Sequence, residues 1–256
     1  MLREFNSTLV IIAALNEEKG LGPTLTEIYH SLGKPRCLVV DGRSTDATVM
    51  VAEKLGAQVL FQKSLGKGDA IATAIKHVND ADVEYVVFTD ADYTYPAEHL
   101  PKMIQILQEN PDCGMVCGNR FNGQLSSEAM HGAFGLGNRI IAFMHNLLNG
   151  VCMTDPLTGL RVVRWDLIKD WWPKSEGFDI EVELNHLVKS KGYRIAEIPI
   201  RYRSRLGEKK LKLRHGFTIL NRIMKEAIEA RLRFMPISQI RPPNKSIMDL
   251  DMQKRI

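Results

Sequence analysis

The feature that most constrains this chain is a repeated handover. An apolar, β-branched run gives way to a polar or glycine-rich segment, and a helix-compatible segment follows. The clearest case is Val86-Val87-Phe88-Thr89, which ends directly in Asp90-Ala91-Asp92-Tyr93-Thr94-Tyr95-Pro96. Runs of this composition predict buried strands. Residues 8–14 run into Leu15-Asn16-Glu17-Glu18, and residues 37–40 end at Asp41 before Gly42-Arg43-Ser44-Thr45-Asp46-Ala47-Thr48. Residues 58–62 lead to Gly66-Lys67-Gly68-Asp69, and helical patterns follow over 48–55 and 69–77. Strands alternating with helices argue βαβ units and a mostly parallel sheet. Ligands in such sheets lie beyond the carboxyl ends of the strands, so four polar strand ends can converge on one crevice.

Asp90 and Asp92 stand at i and i+2 of an extended segment, so their side chains point the same way. Two hard oxygen donors at a strand end suit Mg²⁺ or Mn²⁺ holding a diphosphate. The chemistry implied is departure of a nucleoside diphosphate from an activated sugar. A plainer reading stands beside it, in which the two aspartates cap the following helix.

The chain has 256 residues, 45% hydrophobic and 25% charged, enough for one α/β domain with a substantial core. Cys37, Cys113, Cys117 and Cys152 show no metal-ligand spacing, which favours reduced thiols and a cytoplasmic setting. No signal peptide is recognised, and no stretch approaches the roughly 18 to 20 apolar residues that cross a bilayer. Membrane contact is therefore expected to be peripheral. The net charge of +4 conceals an asymmetry: residues 201–233 hold eleven Lys/Arg against three Glu, a net +8, which leaves −4 elsewhere. A localised anionic partner follows: a lipid phosphate, an anionic membrane or a nucleic acid. No aromatic-interleaved basic platform supports nucleic acid.

Further along, helices are expected over 97–109, 135–148 and 178–191, and strands over 114–117 and 194–202. Residues 216–234 predict an amphipathic helix stopped by Pro236. One of its faces carries Ile219, Leu220, Ile223, Met224, Ala227, Ile228 and Leu232, the other Arg222, Lys225, Glu229 and Arg233. The expected organisation is a catalytic domain over 1–212, with a nucleotide half (1–118) and an acceptor half (119–212). The basic amphipathic helix (213–235) and a mobile tail (236–256) follow.

The ordered motifs resemble the family 2 glycosyltransferases, in particular their polyprenyl-phosphate (dolichyl-phosphate) branch. They are Ala14-Leu15-Asn16-Glu17-Glu18, Asp41-Gly42-Arg43-Ser44-Thr45-Asp46, Gly66-Lys67-Gly68-Asp69-Ala70, Asp90-Ala91-Asp92 and Gly118-Asn119-Arg120-Phe121. After these come Thr154-Asp155-Pro156-Leu157-Thr158-Gly159-Leu160-Arg161, Gly177-Phe178-Asp179-Ile180-Glu181, Tyr202-Arg203 and Gly207-Glu208-Lys209-Lys210-Leu211-Lys212. The resemblance implies a single-domain GT-A (Rossmann-like) fold, a mixed and mostly parallel sheet flanked by helices, with the C-terminal amphipathic helix appended. It implies an inverting hexosyltransferase that uses a nucleotide sugar, a polyprenyl phosphate acceptor and Mg²⁺ or Mn²⁺, peripheral on the cytoplasmic face of a membrane.

The resemblance also distributes roles. Ala14, Asn16, Glu17, Asp41, Lys67, Asp90 and Ala91 fall to the donor, with Asp41 on the base. Gly42 and Arg43 depart from the usual pattern, an aspartate and a glycine, which leaves the nucleotide open. Asp90 and Asp92 hold the metal, Asp92 more directly. Arg120, Arg139, Arg203, Lys209 and Lys212 fall to the acceptor phosphate, and Asp92, Asp155 and Arg120 form the catalytic group. Thr158 and Gly159 would shape the acceptor loop and Arg161 would brace it. Plainer alternatives stand for Glu17 (first-turn helix residue), Lys67 (turn lysine), Asp155 (turn aspartate), and Asp179 and Glu181 (sugar hydroxyls or helix capping). The donor leans towards UDP-glucose or UDP-N-acetylglucosamine, with GDP-mannose as the alternative. A soluble-acceptor transferase and a non-catalytic nucleotide-sugar-binding membrane scaffold are the rival functions.

Overall fold

A computed structural model describes residues 5–78, 82–121, 132–208, 210 and 215–234. The strands are β1 (Thr8–Ala14), β2 (Arg36–Asp41), β3 (Gln58–Phe61), β4 (Tyr85–Asp90), β5 (Cys113–Asn119), β6 (Arg161–Arg164) and β7 (Arg194–Pro199). The helices are α1 (Glu18–Leu32), α2 (Thr48–Lys54), α3 (Lys67–His77), α4 (Leu100–Glu109), α5 (Gly132–Asn149), α6 (Trp165–Ile168), α7 (Ile180–Ser190) and α8 (His215–Phe234). The strands form one sheet in the order β3-β2-β1-β4-β6-β5-β7. Only β6 runs against its neighbours β4 and β5; the other pairings are parallel. The expected mixed, mostly parallel sheet flanked by helices is what the chain forms.

Continuous apolar strands are explained by burial on both faces. Val10, Ile12, Val39 and Val87 pack on one side with Leu21, Leu25 and Ile28 of α1 and Leu100, Met103 and Ile104 of α4. Their neighbours Leu9, Ile11, Leu38, Val40, Val86 and Phe88 pack on the other, with Ile71 and Ala74 of α3 and Leu184 and Val188 of α7. Strand order reverses direction between β1 and β4, so the crevice expected for a ligand opens at their carboxyl ends.

β6 and α6 were not expected from the sequence. In Arg161-Val162-Val163-Arg164 both charged ends are absorbed: Arg161 is buried, and Arg164 donates to the carbonyls of Cys113 and Leu107. The strand expected over 194–202 stops at Pro199. The apolar face expected on α8 divides. Ile219, Ile223 and Ala227 are buried, whereas Met224, Ile228 and Leu232 are exposed. Arg222, expected on the polar face, is buried as well, because Asp179 and Glu183 of the α7 region receive it at 3.2 and 4.0 Å. Ile219 and Ile223 form a third cluster with Ile141 of α5 and Val182 of α7. Among the described residues no helix is long and apolar enough to cross a membrane. The tail over 236–256 lies outside them.

Candidate active site

Sheet register assembles the site. Asp41 pairs beside Ala14, and Asp90 beside Ala13, so the ends of β2, β1 and β4 stand in a row. Asp41 is fully buried and accepts from Ser44 N (2.8 Å) and Ser44 Oγ (2.6 Å). Asn16 accepts from Thr45 N at 2.8 Å and donates its own N–H to Ser44 Oγ at 2.8 Å. Glu17 N donates to Thr48 Oγ1 at 2.8 Å. The loops after β1 and β2 are thus laced into one wall. Arg43 occupies φ +66°, a left-handed position that favours glycine, which accounts physically for the glycine usual there.

Asp92 follows β4 in a turn that forces Tyr93 to φ +67°. Its Oδ1 accepts from Thr94 N (3.1 Å) and Thr94 Oγ1 (2.6 Å); its Oδ2 meets Arg205 at 3.0 Å. Asp90 receives Lys67 Nζ at 2.6 Å, and the same ammonium pairs with Glu181 Oε1 at 2.7 Å. Burial, then the charge of Asp90, push the Asp92 carboxyl above the usual range. Burial presses Asp90 the same way, but Lys67 outweighs it and holds Asp90 below that range. Gly159 lies so close to this pair that a Cβ there would sit 2.5 Å from Asp90 Oδ2.

The glycines on either side of Lys67 are required by the backbone that packs against them. A Cβ on Gly66 would overlap the Glu176 carbonyl oxygen, and one on Gly68 the Ser175 carbonyl oxygen. Gly68 N donates to Glu176 O at 2.9 Å. The bracket admits the 175–176 backbone, and that contact sets Lys67 between Asp90 and Glu181. Asp69 accepts from Ser64 N at 2.8 Å and so ties down the turn before α3.

On the far side, Arg120 and Asp155 form a buried, two-pronged pair. Nε and Nη2 reach the carboxylate at 2.7 and 2.6 Å, and Arg120 N adds a third bond at 3.0 Å. Burial alone would weaken the hold of Arg120 on its proton, but Asp155 more than offsets this. The guanidinium also lies 5.5 Å from the Tyr202 ring centre. Asp155 N and Thr154 N donate to Glu197 at 2.7 and 2.8 Å. Arg161 braces the loop as expected, donating to Thr158 O (2.8 Å), Pro156 O (2.6 Å) and Asn185 Oδ1.

The expected acceptor cations separate. Arg203 is committed away from Arg120: it pairs with Glu27 at 2.9 Å and stacks 4.4 Å from the Tyr93 ring centre. Arg139 is exposed on α5. Lys209 and Lys212 lie outside the described residues. The loop cations that do reach the crevice, Arg205 and Lys210, were not singled out. Arg205 bridges Asp92 and Glu17, each at 3.0 Å, and Lys210 meets Glu17 at 2.5 Å. Gly207, at φ +106°, lets this loop close over Glu17. Burial of Glu17 outweighs both cations and raises its pKa. The only hint in the sequence was the +8 segment; nothing local linked its members to Glu17. Asp179 is occupied by Arg222, while Glu181 joins the site through Lys67 and keeps Oε2 buried without a hydrogen bond among the described residues.

No cluster of three or more metal-ligating side chains exists among the described residues. Asp90 and Asp92 nevertheless fit a hard cation that keeps waters and shares its shell with phosphate oxygens, because such an ion needs only one or two carboxylates. Lys67 and Arg205 stand against these carboxylates as local counter-charges.

The family model of glycosyl transferase family 2 matches residues 9–166. A dolichyl-phosphate hexose transferase of Haloferax volcanii is 35% identical over 232 residues, covering 90% of this chain and 97% of that protein. The glycosyltransferase AglJ of the same organism is 31% identical; the match covers 77% of this chain and 63% of AglJ. Among solved structures, glucosyl-3-phosphoglycerate synthase from Mycobacterium tuberculosis in complex with UDP superposes with a TM-score of 0.70 at 20% identity, covering 87% of this chain and 80% of that one. Its complex with Mn²⁺, UDP-glucose and phosphoglyceric acid gives 0.69 at 19%. At such identity the likeness establishes the shared fold.

Proposed function

The chain belongs to glycosyl transferase family 2, and on that premise we propose that it moves a hexosyl unit from a nucleotide sugar to a polyprenyl phosphate, with inversion at the anomeric carbon. The observation that carries this reading is a set of three buried or half-buried cations, each held against a carboxylate of the site: Lys67 on Asp90, Arg205 on Asp92 and Arg120 on Asp155. A donor diphosphate and an anionic acceptor both need such charge. The Haloferax volcanii relative, a dolichyl-phosphate hexose transferase aligned over 97% of its length, supports a lipid phosphate as that acceptor.

In this mechanism Ala14, Asn16, Glu17, Asp41 and Ala91 line the donor wall, and Asp41 accepts from the base. Asp90 and Asp92 would hold a divalent ion, Mg²⁺ or Mn²⁺, which when bound would supply Lewis acidity to offset charge on the departing diphosphate. Arg205 and Lys210, drawn here to Asp92 and Glu17, are placed to follow the diphosphate charge. Lys67, fixed between Asp90 and Glu181, keeps its cation beside the leaving group. Arg120, aligned by Asp155, holds the acceptor phosphate, a task suited to its forked donors. That phosphate is already ionised near neutrality, so no strong base is needed; positioning and charge carry the rate. The bond from the anomeric carbon to the diphosphate breaks with its electrons leaving on the diphosphate, as the acceptor oxygen forms the new bond. The donor leans to a UDP-hexose, with GDP-mannose the alternative. In this reading the enzyme works peripherally on the cytoplasmic face of the membrane that carries its acceptor.

A donor panel tests the reading. Purified protein receives UDP-glucose, UDP-N-acetylglucosamine or GDP-mannose with a polyprenyl phosphate and Mn²⁺, and the lipid product is identified by mass. One donor should yield a hexosyl-phospholipid, and Asp92→Asn should abolish it. Full activity in excess chelator, or product on soluble acceptors alone, contradicts the assignment.

A further inference from the structure

Two neighbouring helices each turn a stripe of large apolar side chains outward. On α5, Leu136, Ile140, Phe143 and Leu147 are 62%, 49%, 64% and 65% exposed. Their spacing of i, i+4, i+7 and i+11 puts them on one face. On α8, Phe217, Met224, Ile228 and Leu232 are 80%, 53%, 52% and 58% exposed, and their spacing also keeps them on one face. The opposite faces of both helices are buried in a shared cluster that includes Ile141, Ile219 and Ile223, and Asn149 Nδ2 ties α5 to Ile223 O at 3.2 Å. Single exposed apolar residues are ordinary, but two such stripes on packed helices form a surface that asks for a partner.

The charges around the stripes identify the partner. Helix α5 carries no Asp or Glu. Helix α8 carries two: Glu226 is buried, and Glu229, part-exposed, is neutralised by Lys174 at 2.6 Å. The exposed charges beside the stripes are cations, Arg139 on α5 and Lys225 and Arg231 on α8. An apolar face rimmed by cations, on helices that do not span, is the pattern of an interfacial surface. A second copy of the chain would set like charges against each other around the same rim.

We propose that α5 and α8 together form a docking surface for an anionic lipid bilayer, inserting both stripes at the headgroup boundary. The proposal deepens and rests on the polyprenyl-phosphate reading, which requires the site to meet a membrane-borne acceptor, but it is tested without turnover. It also replaces the stripe expected from the sequence, since Ile219 and Ile223 are core.

The experiment is flotation of the full chain with vesicles of phosphatidylcholine alone or with a third phosphatidylglycerol. Wild type should float with the anionic vesicles, several-fold less with neutral ones, and less as salt rises. Phe143→Glu with Leu147→Glu, and separately Met224→Glu with Ile228→Glu, should each cut the bound fraction at least tenfold. Because these residues are exposed, thermal midpoints and UDP-sugar binding by calorimetry should be unchanged. Lys225→Glu with Arg231→Glu should remove the preference for anionic lipid while leaving weaker neutral binding. Failure of wild type to float overturns the proposal, as does undiminished flotation of either apolar pair. A dimer in light scattering that the same substitutions disperse, without flotation of wild type, assigns the surface to self-association instead. A protein that floats as expected yet glycosylates no polyprenyl phosphate leaves the surface standing and removes the proposed function.

Discussion

Substituting Asp155 by Ala isolates what holds Arg120 in place. The carboxylate has no solvent exposure and accepts three bonds from Arg120, from N, Nε and Nη2 at 3.0, 2.7 and 2.6 Å. Its loss strands the charge of an arginine whose side chain is only 11% exposed. Breaking a buried pair from one side costs about 3–5 kcal/mol, because the remaining charge keeps its desolvation penalty without a counter-ion. Removing both partners is far cheaper for the same reason, so Asp155→Ala combined with Arg120→Met should recover at least about 2 kcal/mol relative to the sum of the two single losses. Urea unfolding followed by tryptophan fluorescence and circular dichroism, with all four proteins at one pH, gives the cycle. A loss below about 1 kcal/mol for Asp155→Ala, or additivity within about 0.5 kcal/mol, refutes the reasoning. Arg120 would then be solvated well enough to stand alone, and the preorganisation assigned to it would be wrong.

Two further outcomes follow from the packing. Gly68→Ala puts a methyl group into the Ser175 carbonyl, so stability should fall by about 1–3 kcal/mol and UDP-sugar affinity should drop with it; urea melts and calorimetry read both, and a neutral result would show that the 175–176 backbone yields freely. His145 is fully buried, and burial, with His186 and Arg161 adding to it, depresses its pKa to about 3. The unfolded chain therefore binds a proton that the folded chain refuses, so stability is intact above pH 6.5 and falls as pH drops towards 3. The slope is about 1.4 kcal/mol per pH unit, or roughly 2 kcal/mol between pH 6.5 and 5. Melts of wild type and His145→Gln across that interval should diverge, and parallel curves would rule out this histidine as the source.

The parts of the fold that were legible are those where local pattern and burial agree. Val86, Val87 and Phe88 read as a strand because both faces of β4 are covered, but the extended alignment expected to carry Asp90 and Asp92 stops at Asp90, since Asp92 lies in the turn that follows. β6 was illegible because Arg161 and Arg164 look like solvent residues until the loop carbonyls that absorb them are in place. Arg120 and Asp155 were both picked out, but not as a pair, since no local rule joins residues 35 apart. Arg205 and Lys210 escaped for the same reason: their carboxylate, Glu17, is 188 and 193 residues away. On α8 the periodicity was right, but its solvent side was misplaced, because Arg222 is drawn inward by Asp179 and Glu183 and leaves Met224 and Ile228 outside.

That inward arginine has a consequence for how this enzyme can be altered. Glu183, which Arg222 approaches, also accepts the N–H groups of Lys174 and Ser175, and the next carbonyls crowd Gly66 and Gly68 on either side of Lys67. A graft that exchanged α8 for another amphipathic helix without a cation at that register would take from Asp179 its buried counter-charge and from Glu183 its nearby one, leaving Glu183 to its N–H donors alone. The damage would surface around Lys67, far from the graft. Helix and candidate site are thus a single unit of inheritance, and a homologue that gained, lost or swapped its terminal helix would have to rewrite the turn before α7 in the same step.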